Sequence, residues 1–221
     1  RLDEVESIIA AQRPRLLILC HPHNPTGHRF RRRELERLAE IAEAADLVVV
    51  SDEIHSDLVY DDPSDAETHV PFASVSESAA RRTVTVTSAS KAFNLAGLRW
   101  AVMHVGHAEL ERRLRSFPDH FFGAPNLIAV EAAVAAWTDG GDWLSAVMGV
   151  LDENRRSLAD LLGRHLPGAC YTPPEATYLA WIDCSHLGEG EVPRDIFRER
   201  GLELSPGPQF GREGSGHVRL N

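Results

Sequence analysis

The sequence predicts an α/β fold: a mostly parallel sheet sandwiched by helices, followed by a smaller C-terminal α/β domain. Three observations carry this expectation. Near-continuous runs of Leu, Ile and Val recur along the first half of the chain, and segments of helical spacing separate them. Beyond about residue 145 the texture changes to short strands and helices broken by Pro and Gly. Strands that are apolar throughout need cover on both faces, which crossover helices between parallel strands supply.

The elements follow in order. "RLDEVESIIAAQ" sets Leu2, Val5, Ile8 and Ile9 at helical spacing, and "RLLILC" (15–20) is the first buried strand. A helix is expected over 31–45, its Arg31-Arg32-Arg33 start solvated, before the strand "DLVVVSD" (46–52). The strands "TVTVTS" (83–88) and "RWAVMHVG" (99–106) come next, then a helix at 107–117. "APNLIAVEAAVAAW" (124–137) is expected to be an Ala-rich buried helix, stopped by Asp139-Gly140-Gly141-Asp142. A long helix then runs from Trp143 to about Leu166. "YLAWID" (178–183), a helix near 193–200, "LELSPG" (202–207) and "GHVRLN" (216–221) complete the second domain. The expected division is 1–145, part of a large domain, and 146–221, a small and incomplete one.

Composition narrows the function. The 221 residues are 43% hydrophobic and 25% charged, enough for one sizeable core, and the formal charge is −10. That charge argues against nucleic acid or an anionic membrane as partner, since both need clustered cations. Cys20, Cys170 and Cys184 are too few and too widely spaced for a disulfide framework, and no apolar stretch has the length of a membrane span. A reducing cytoplasm is the expected location. A start without Met on an amphipathic helix, and an end inside an apparent strand, suggest an incomplete chain.

The strongest chemical signal is "TSASKAFNLAGLR" (87–99). Lys91 is the one lysine among 23 basic residues, and it sits in a loop of small and polar residues directly after a strand. A partly desolvated amine there is a candidate nucleophile toward an aldehyde. Ser88, Ser90 and Arg99 around it suit a phosphate, which a guanidinium binds with two parallel hydrogen bonds. "SDEIHSD" supplies Asp52 at a second strand end, where a carboxylate would keep a pyridine nitrogen protonated and turn the ring into an electron sink. Together these residues describe a pyridoxal phosphate site.

In order, "HNPTG", "SDEIHSDLVY", "SASKAFNLAGLR", "EATYLAWID", "LSPGPQFG" and "GHVRLN" resemble the class I/II aminotransferase family of fold-type I pyridoxal phosphate enzymes. Within it the chain resembles the MalY/PatB-like cystathionine beta-lyases, from about Leu16 to Asn221. The resemblance implies that Lys91 holds the cofactor covalently and later acts as base on the substrate's alpha proton. Asp52 would pair with the pyridine nitrogen, Asn24 would donate to the phenolic oxygen, and Ser88, Ser90 and Arg99 would contact or support the phosphate. Arg219 would bind the substrate carboxylate, with Tyr178 facing the substrate. His55 stands where many aminotransferases carry a phenolic-oxygen-binding tyrosine, as in the lyase subgroup; Arg99 is commoner in the aminotransferases. The family pattern also implies a homodimer with a shared active site. It implies an upstream segment holding the rest of the phosphate cup, without which these 221 residues would not bind cofactor tightly.

The expected activity is therefore beta-elimination from a sulfur amino acid, giving pyruvate, ammonia and a thiol. The alternative is amino-acid transamination. A metal-dependent hydrolase built on Cys20, His21 and His23 with Asp52 or His55 is a remote reading, because Pro22 fixes the backbone between ligands whose spacing matches no short zinc motif. A non-catalytic regulatory protein is another, since fold does not fix function. His69, His104, His107, His120, His165 and His186 carry no partner pattern.

Overall fold

The computed structural model describes residues 2–62, 68–188 and 193–221. They form two compact units: Arg1–Pro22 with Arg29–Leu144, and His23–His28 with Ser145–Asn221. The six-residue segment around Asn24 thus groups with the C-terminal unit, whereas the sequence division placed all of 1–145 together.

The first unit contains α1 (Leu2–Gln12), β1 (Leu16–Cys20), α2 (Arg32–Ala44), β2 (Val48–Asp52), α3 (Glu77–Arg82) and β3 (Thr83–Thr87). After them come β4 (Val102–Val105), α4 (Ala108–Arg115) and α5 (Leu127–Asp139). α2 shows why the helices form where they do. Leu35, Leu38, Ala39, Ile41 and Ala42 recur at helical spacing and are all buried, and the Glu34 carboxylate accepts from the Arg31 N–H at 2.8 Å at the helix start. This stripe packs with Ile9, Leu19, Val49 and Phe72 into one core, each large side chain contributing roughly 1.5–3 kcal/mol.

The sheet order is β1-β2-β3-β4. β1, β2 and β3 pair in parallel with Cys20 beside Asp52 and Asp52 beside Val86, so all three carboxyl ends lie on one edge. β4 runs antiparallel to β3, Thr87 opposite Val102. The reason is the connection: residues 88–101 hold only turns and one short 3-10 segment, and a parallel return requires a crossover. α1, α2 and α3 supply side chains to the core on one face of the sheet. On the other, Ile18 is 70% and Met103 51% exposed.

α5 also differs from its sequence expectation. It buries only Ala129 and Ala133, one turn apart, and leaves Leu127 72% exposed. Those two alanines line a narrow crevice with Ser88, Ala89, Leu95 and Trp100, so the small residues serve close approach of the loop after β3. The apolar remainder of the helix faces outward.

α6 (Gly141–His165) leads into the second unit, with β5 (Cys170–Tyr171), β6 (Ala180–Asp183), α7 (Pro193–Glu199), β7 (Ser205–Pro206) and β8 (His217–Leu220). Its sheet order is β5-β6-β8-β7, every neighbour antiparallel. Leu158, Leu162 and Leu166, four apart, cover Ile182, Cys184, Leu204 and Val218. Burial, then the nearby Asp183, pushes the Cys184 thiol up to about 11, which makes it an inert core residue. Among the described residues no helix is long and apolar enough to cross a membrane.

In the intact protein, Leu35→Ala, at a fully buried position, is expected to lower unfolding stability by about 2–5 kcal/mol. Ile8→Ala, at a half-exposed one, should stay within about 0.5 kcal/mol. Denaturant titration of the two variants checks the assigned core face.

Candidate active site

Asp52 closes β2, and its Oδ1 accepts from the Ile54 N–H at 3.2 Å, which starts the turn that carries His55. His55 is buried, and its carbonyl accepts from the Leu58 N–H at 3.0 Å. Trp137 of α5 pins the same turn by donating from Nε1 to Asp57 Oδ2 at 3.2 Å. The pleat of β2 turns Ser51 and Glu53 to the face opposite Asp52.

Glu53 is 3% exposed yet fully partnered. Its carboxylate accepts from Ser51 Oγ at 2.8 Å and the Phe72 N–H at 3.0 Å, and lies 2.8 Å from His69 Nε2. Burial alone would raise the carboxyl pKa. The hydrogen bond and charge of His69, with the Ser51 and Phe72 donors, outweigh it and hold the group below its usual range. Sequence reasoning missed this cluster: it found no partner pattern for His69 and assigned Glu53 no role. The adjacent acid in "SDE" was visible; the facing histidine, sixteen residues on, was not.

Lys91 is half-buried in the loop after β3, between buried Ala89 and Ala92. Ser88 organises that loop. Its hydroxyl donates to the Trp100 carbonyl at 2.6 Å and accepts from the Ser90 N–H at 3.0 Å. One O–H spent on Trp100 leaves Ser88 none to offer a phosphate, so of the two roles expected for it, support is the one its geometry favours. The Ser90 hydroxyl makes no hydrogen bond among the described residues. Phe93 N–H to Ala89 O at 3.0 Å and Leu95 N–H to Ser90 O at 2.9 Å complete the loop, and Phe93 stacks on Trp143 at 5.7 Å. Arg99 follows the short 3-10 segment with an exposed side chain and φ 55, ψ 48, a left-handed conformation that costs a non-glycine residue about 1–2 kcal/mol.

The C-terminal unit holds Asn24, Arg219 and Tyr178. Arg219, on β8 between Trp181 of β6 and Ser205 of β7, donates from Nη1 to Asn24 Oδ1 at 2.9 Å and from Nη2 to Ser205 Oγ at 3.2 Å. Its guanidinium lies 4.6 Å from the centre of the Phe210 ring. Its buried Nε has no hydrogen bond among the described residues. A guanidinium only donates, so the Asn24 oxygen must face it and the Asn24 NH2 is turned the other way. Gly27 closes the Asn-Pro-Thr-Gly turn at φ +67, and an added Cβ there would meet Pro174 at 2.3 Å. Ala176 N–H to Gly27 O, at 3.0 Å, fastens that turn to the segment before β6. Tyr178 follows Thr177, a buried β-branched residue held at φ 72. Burial raises the Tyr178 hydroxyl above its ordinary value and the Arg219 charge partly opposes it, so it stays protonated and able to donate at neutral pH.

Cys20, His21 and His23 each serve something local. Cys20 Sγ donates to the Pro22 carbonyl at 3.6 Å, buried His21 Nε2 lies 3.1 Å from the Val70 carbonyl, and His23 Nδ1 lies 2.8 Å from Thr26 Oγ1. Among the described residues no group of three or more His, Cys, Asp or Glu side chains could hold a metal ion.

Known proteins match this arrangement. The model of the family "Aminotransferase class I and II" matches residues 1–221. The chain belongs to the aminotransferase class I and II family. Cystathionine beta-lyase PatB of Bacillus subtilis is 34% identical over 99% of this chain and 56% of its own length. The PLP-bound C-S lyase of Staphylococcus hominis superposes with a TM-score of 0.89 at 34% identity, over 99% of this chain and 56% of that one. OvoB superposes at 0.86 with 42% identity, over 94% and 53%. The chain spans about half the length of the curated relatives it matches. Its relatives are enzymes, and they share its α/β fold.

For a family member that buries a carboxylate beside Asp52, acid stability follows from the sign of the shift. A carboxyl held below its unfolded value stabilises the fold above the ordinary carboxylate range, and that contribution is lost as pH falls through the lowered value. Glu53→Gln is expected to cost about 1–3 kcal/mol at pH 7. The difference from wild type should shrink progressively below about pH 4.3, measured as denaturant midpoints across pH.

Proposed function

We propose that this chain carries the cofactor- and substrate-binding residues of a pyridoxal 5'-phosphate (PLP) dependent carbon-sulfur beta-lyase acting on a cystathionine-like amino acid. The observation that carries the proposal is Lys91: the one lysine of the chain stands in the loop after β3, and Asp52 ends the strand paired in parallel beside it. The donor set fits PLP. Lys91 offers an amine for its aldehyde, Asp52 a carboxylate for its ring nitrogen, and Ser90 and Arg99 donors for its phosphate, with Ser88 as their support. His55, on the Asp52 turn, and the outward NH2 of Asn24 suit the ring and its phenolic oxygen.

When bound, PLP supplies an electron sink for the charge left on the substrate's alpha carbon. The chain's residues do the rest. Arg219 takes the substrate carboxylate on its planar fork, for which the buried, unused Nε is a ready donor. Tyr178, protonated and beside Arg219, donates to the substrate. Lys91 would take the alpha proton; with the thiolate leaving the beta carbon, the enamine product would take up water to give pyruvate and ammonia. The residues divide as 1–145, part of the large PLP-binding domain, and 146–221, the small domain. The protein works as a homodimer that shares its active sites and resides in the cytoplasm. Among the described residues Cys20, Cys170 and Cys184 form no disulfide, which suits a reducing compartment.

Transamination is the second reading, favoured by Arg99 and by the family's name. In it Lys91 would hold and return the alpha proton without a carbon-sulfur bond breaking.

In the intact enzyme, pyruvate is expected from cystathionine in many-fold excess over enzyme with no keto acid added; product that stops at one equivalent unless a keto acid is supplied would mean transamination. Lys91→Ala should lose about 100-fold or more in kcat together with covalent retention of PLP, read by reductive trapping. Arg219→Lys should raise KM by about 10-fold with a smaller change in kcat.

A further inference from the structure

The most elaborate buried polar cluster in the first unit is not among the residues assigned to chemistry. Glu53 is held at both main-chain groups and at its side chain. Its N–H donates to the Val86 carbonyl at 2.8 Å, and its carbonyl accepts from the Ser56 N–H at 3.0 Å and from Thr87 Oγ1 at 3.3 Å. Its carboxylate gathers Ser51, Phe72 and His69. His69 in turn stacks on the fully buried His21 ring, centroids 4.5 Å apart. The His21 N–H donates to the Asp52 carbonyl at 2.9 Å. These contacts close a circuit: Asp52 to His21 through the backbone, His21 to His69 through the rings, His69 to Glu53 through a hydrogen bond, and Glu53 back to Asp52 through the peptide. Both peptide planes flanking Glu53, the first of them shared with Asp52, are thereby fixed.

We infer that Glu53, with His69, is a positioning residue for Asp52 and His55, holding the strand-end turn so that the Asp52 carboxylate meets the cofactor's ring nitrogen in one orientation. This rests on the PLP reading above. A buried carboxylate is costly unless fully bonded, and an apolar pair would fill the same space. What the charged pair adds is directional restraint on a turn that a shift of about 1 Å would disable. Thr87 carries the restraint to the next strand end, since its hydroxyl bonds the Glu53 carbonyl four residues before Lys91.

The test uses the intact enzyme loaded with PLP. Measured are the pH midpoint of the bound cofactor's visible absorbance, which reports the ring nitrogen and its partners, and kcat, KM and the thermal midpoint. Glu53→Gln, of the same shape, is expected to move the absorbance midpoint by about half a unit or more and to lower kcat by about 10-fold or more. KM should stay within about threefold, because the substrate carboxylate binds Arg219. His69→Leu, which removes the donor while leaving Glu53 in place, should reproduce both changes and decides the matter if Glu53→Gln does not fold. His69→Gln, which restores a donor, should bring kcat and the midpoint back toward wild type. Variants Glu53→Gln and His69→Leu that load PLP with wild-type midpoint and kcat would overturn the inference, whatever their thermal stability. A wild-type enzyme that takes up no PLP would overturn the cofactor reading itself, and this inference with it.

Discussion

The parallel pairing of β1, β2 and β3, in the register Cys20–Asp52–Val86, is the constraint on which the placement of Asp52 and of the Lys91 loop depends. Parallel strands end on one edge, and ligands in open α/β sheets gather there because backbone groups beyond the last ladder bond are free to be aimed. Asp52 is the last residue of its strand, and Lys91 follows the next one after a loop tied down by Ser88. The short connection that makes β4 antiparallel serves the same end. It keeps the Lys91 loop a compact hairpin bend, and Ser88 and Trp100 clamp its two ends.

Both units resolve the same energetic problem, a charged side chain with little solvent, in opposite ways. Glu53 receives three donors, two on Oε1 and one on Oε2. Arg219 is given two neutral acceptors and a ring face, and one buried donor is left over. A carboxylate bonded at both oxygens suits a structural anchor, and a guanidinium with a buried donor to spare suits a binding group. The left-handed backbone at Arg99 and Thr177 lies in the segments that carry Lys91 and Tyr178.

Much of this was legible in the sequence. Strand runs, the long helix at 143–166 and the lysine loop follow from periodicity and from the scarcity of lysine. The direction of β4 was not, because a run such as "RWAVMHVG" has the same pattern either way and only the connection decides. Nor was the environment of α5, since its alanines pack and its leucine does not, a distinction that composition cannot draw. Asn24 was recognisable from its turn, but its bond to Arg219 joins residues 195 positions apart. Ser88 was read as a residue that contacts or supports a phosphate, while its hydroxyl's partner, the Trp100 carbonyl, leaves no trace in side-chain identity. Glu53 and His69 were hidden for a similar reason: alternation along β2 sends the adjacent acids Asp52 and Glu53 to opposite faces.

The arginine-for-lysine composition has a consequence beyond the site. With Lys91 the one primary amine on any side chain of these 221 residues, the outer surface carries its positive charge entirely on groups that neither acetyl donors, aldehydes nor isothiocyanates modify readily. Reagents that decorate ordinary proteins at dozens of positions have a single internal target here. Solubility and amine reactivity, usually supplied by the same residue, are separated in this chain.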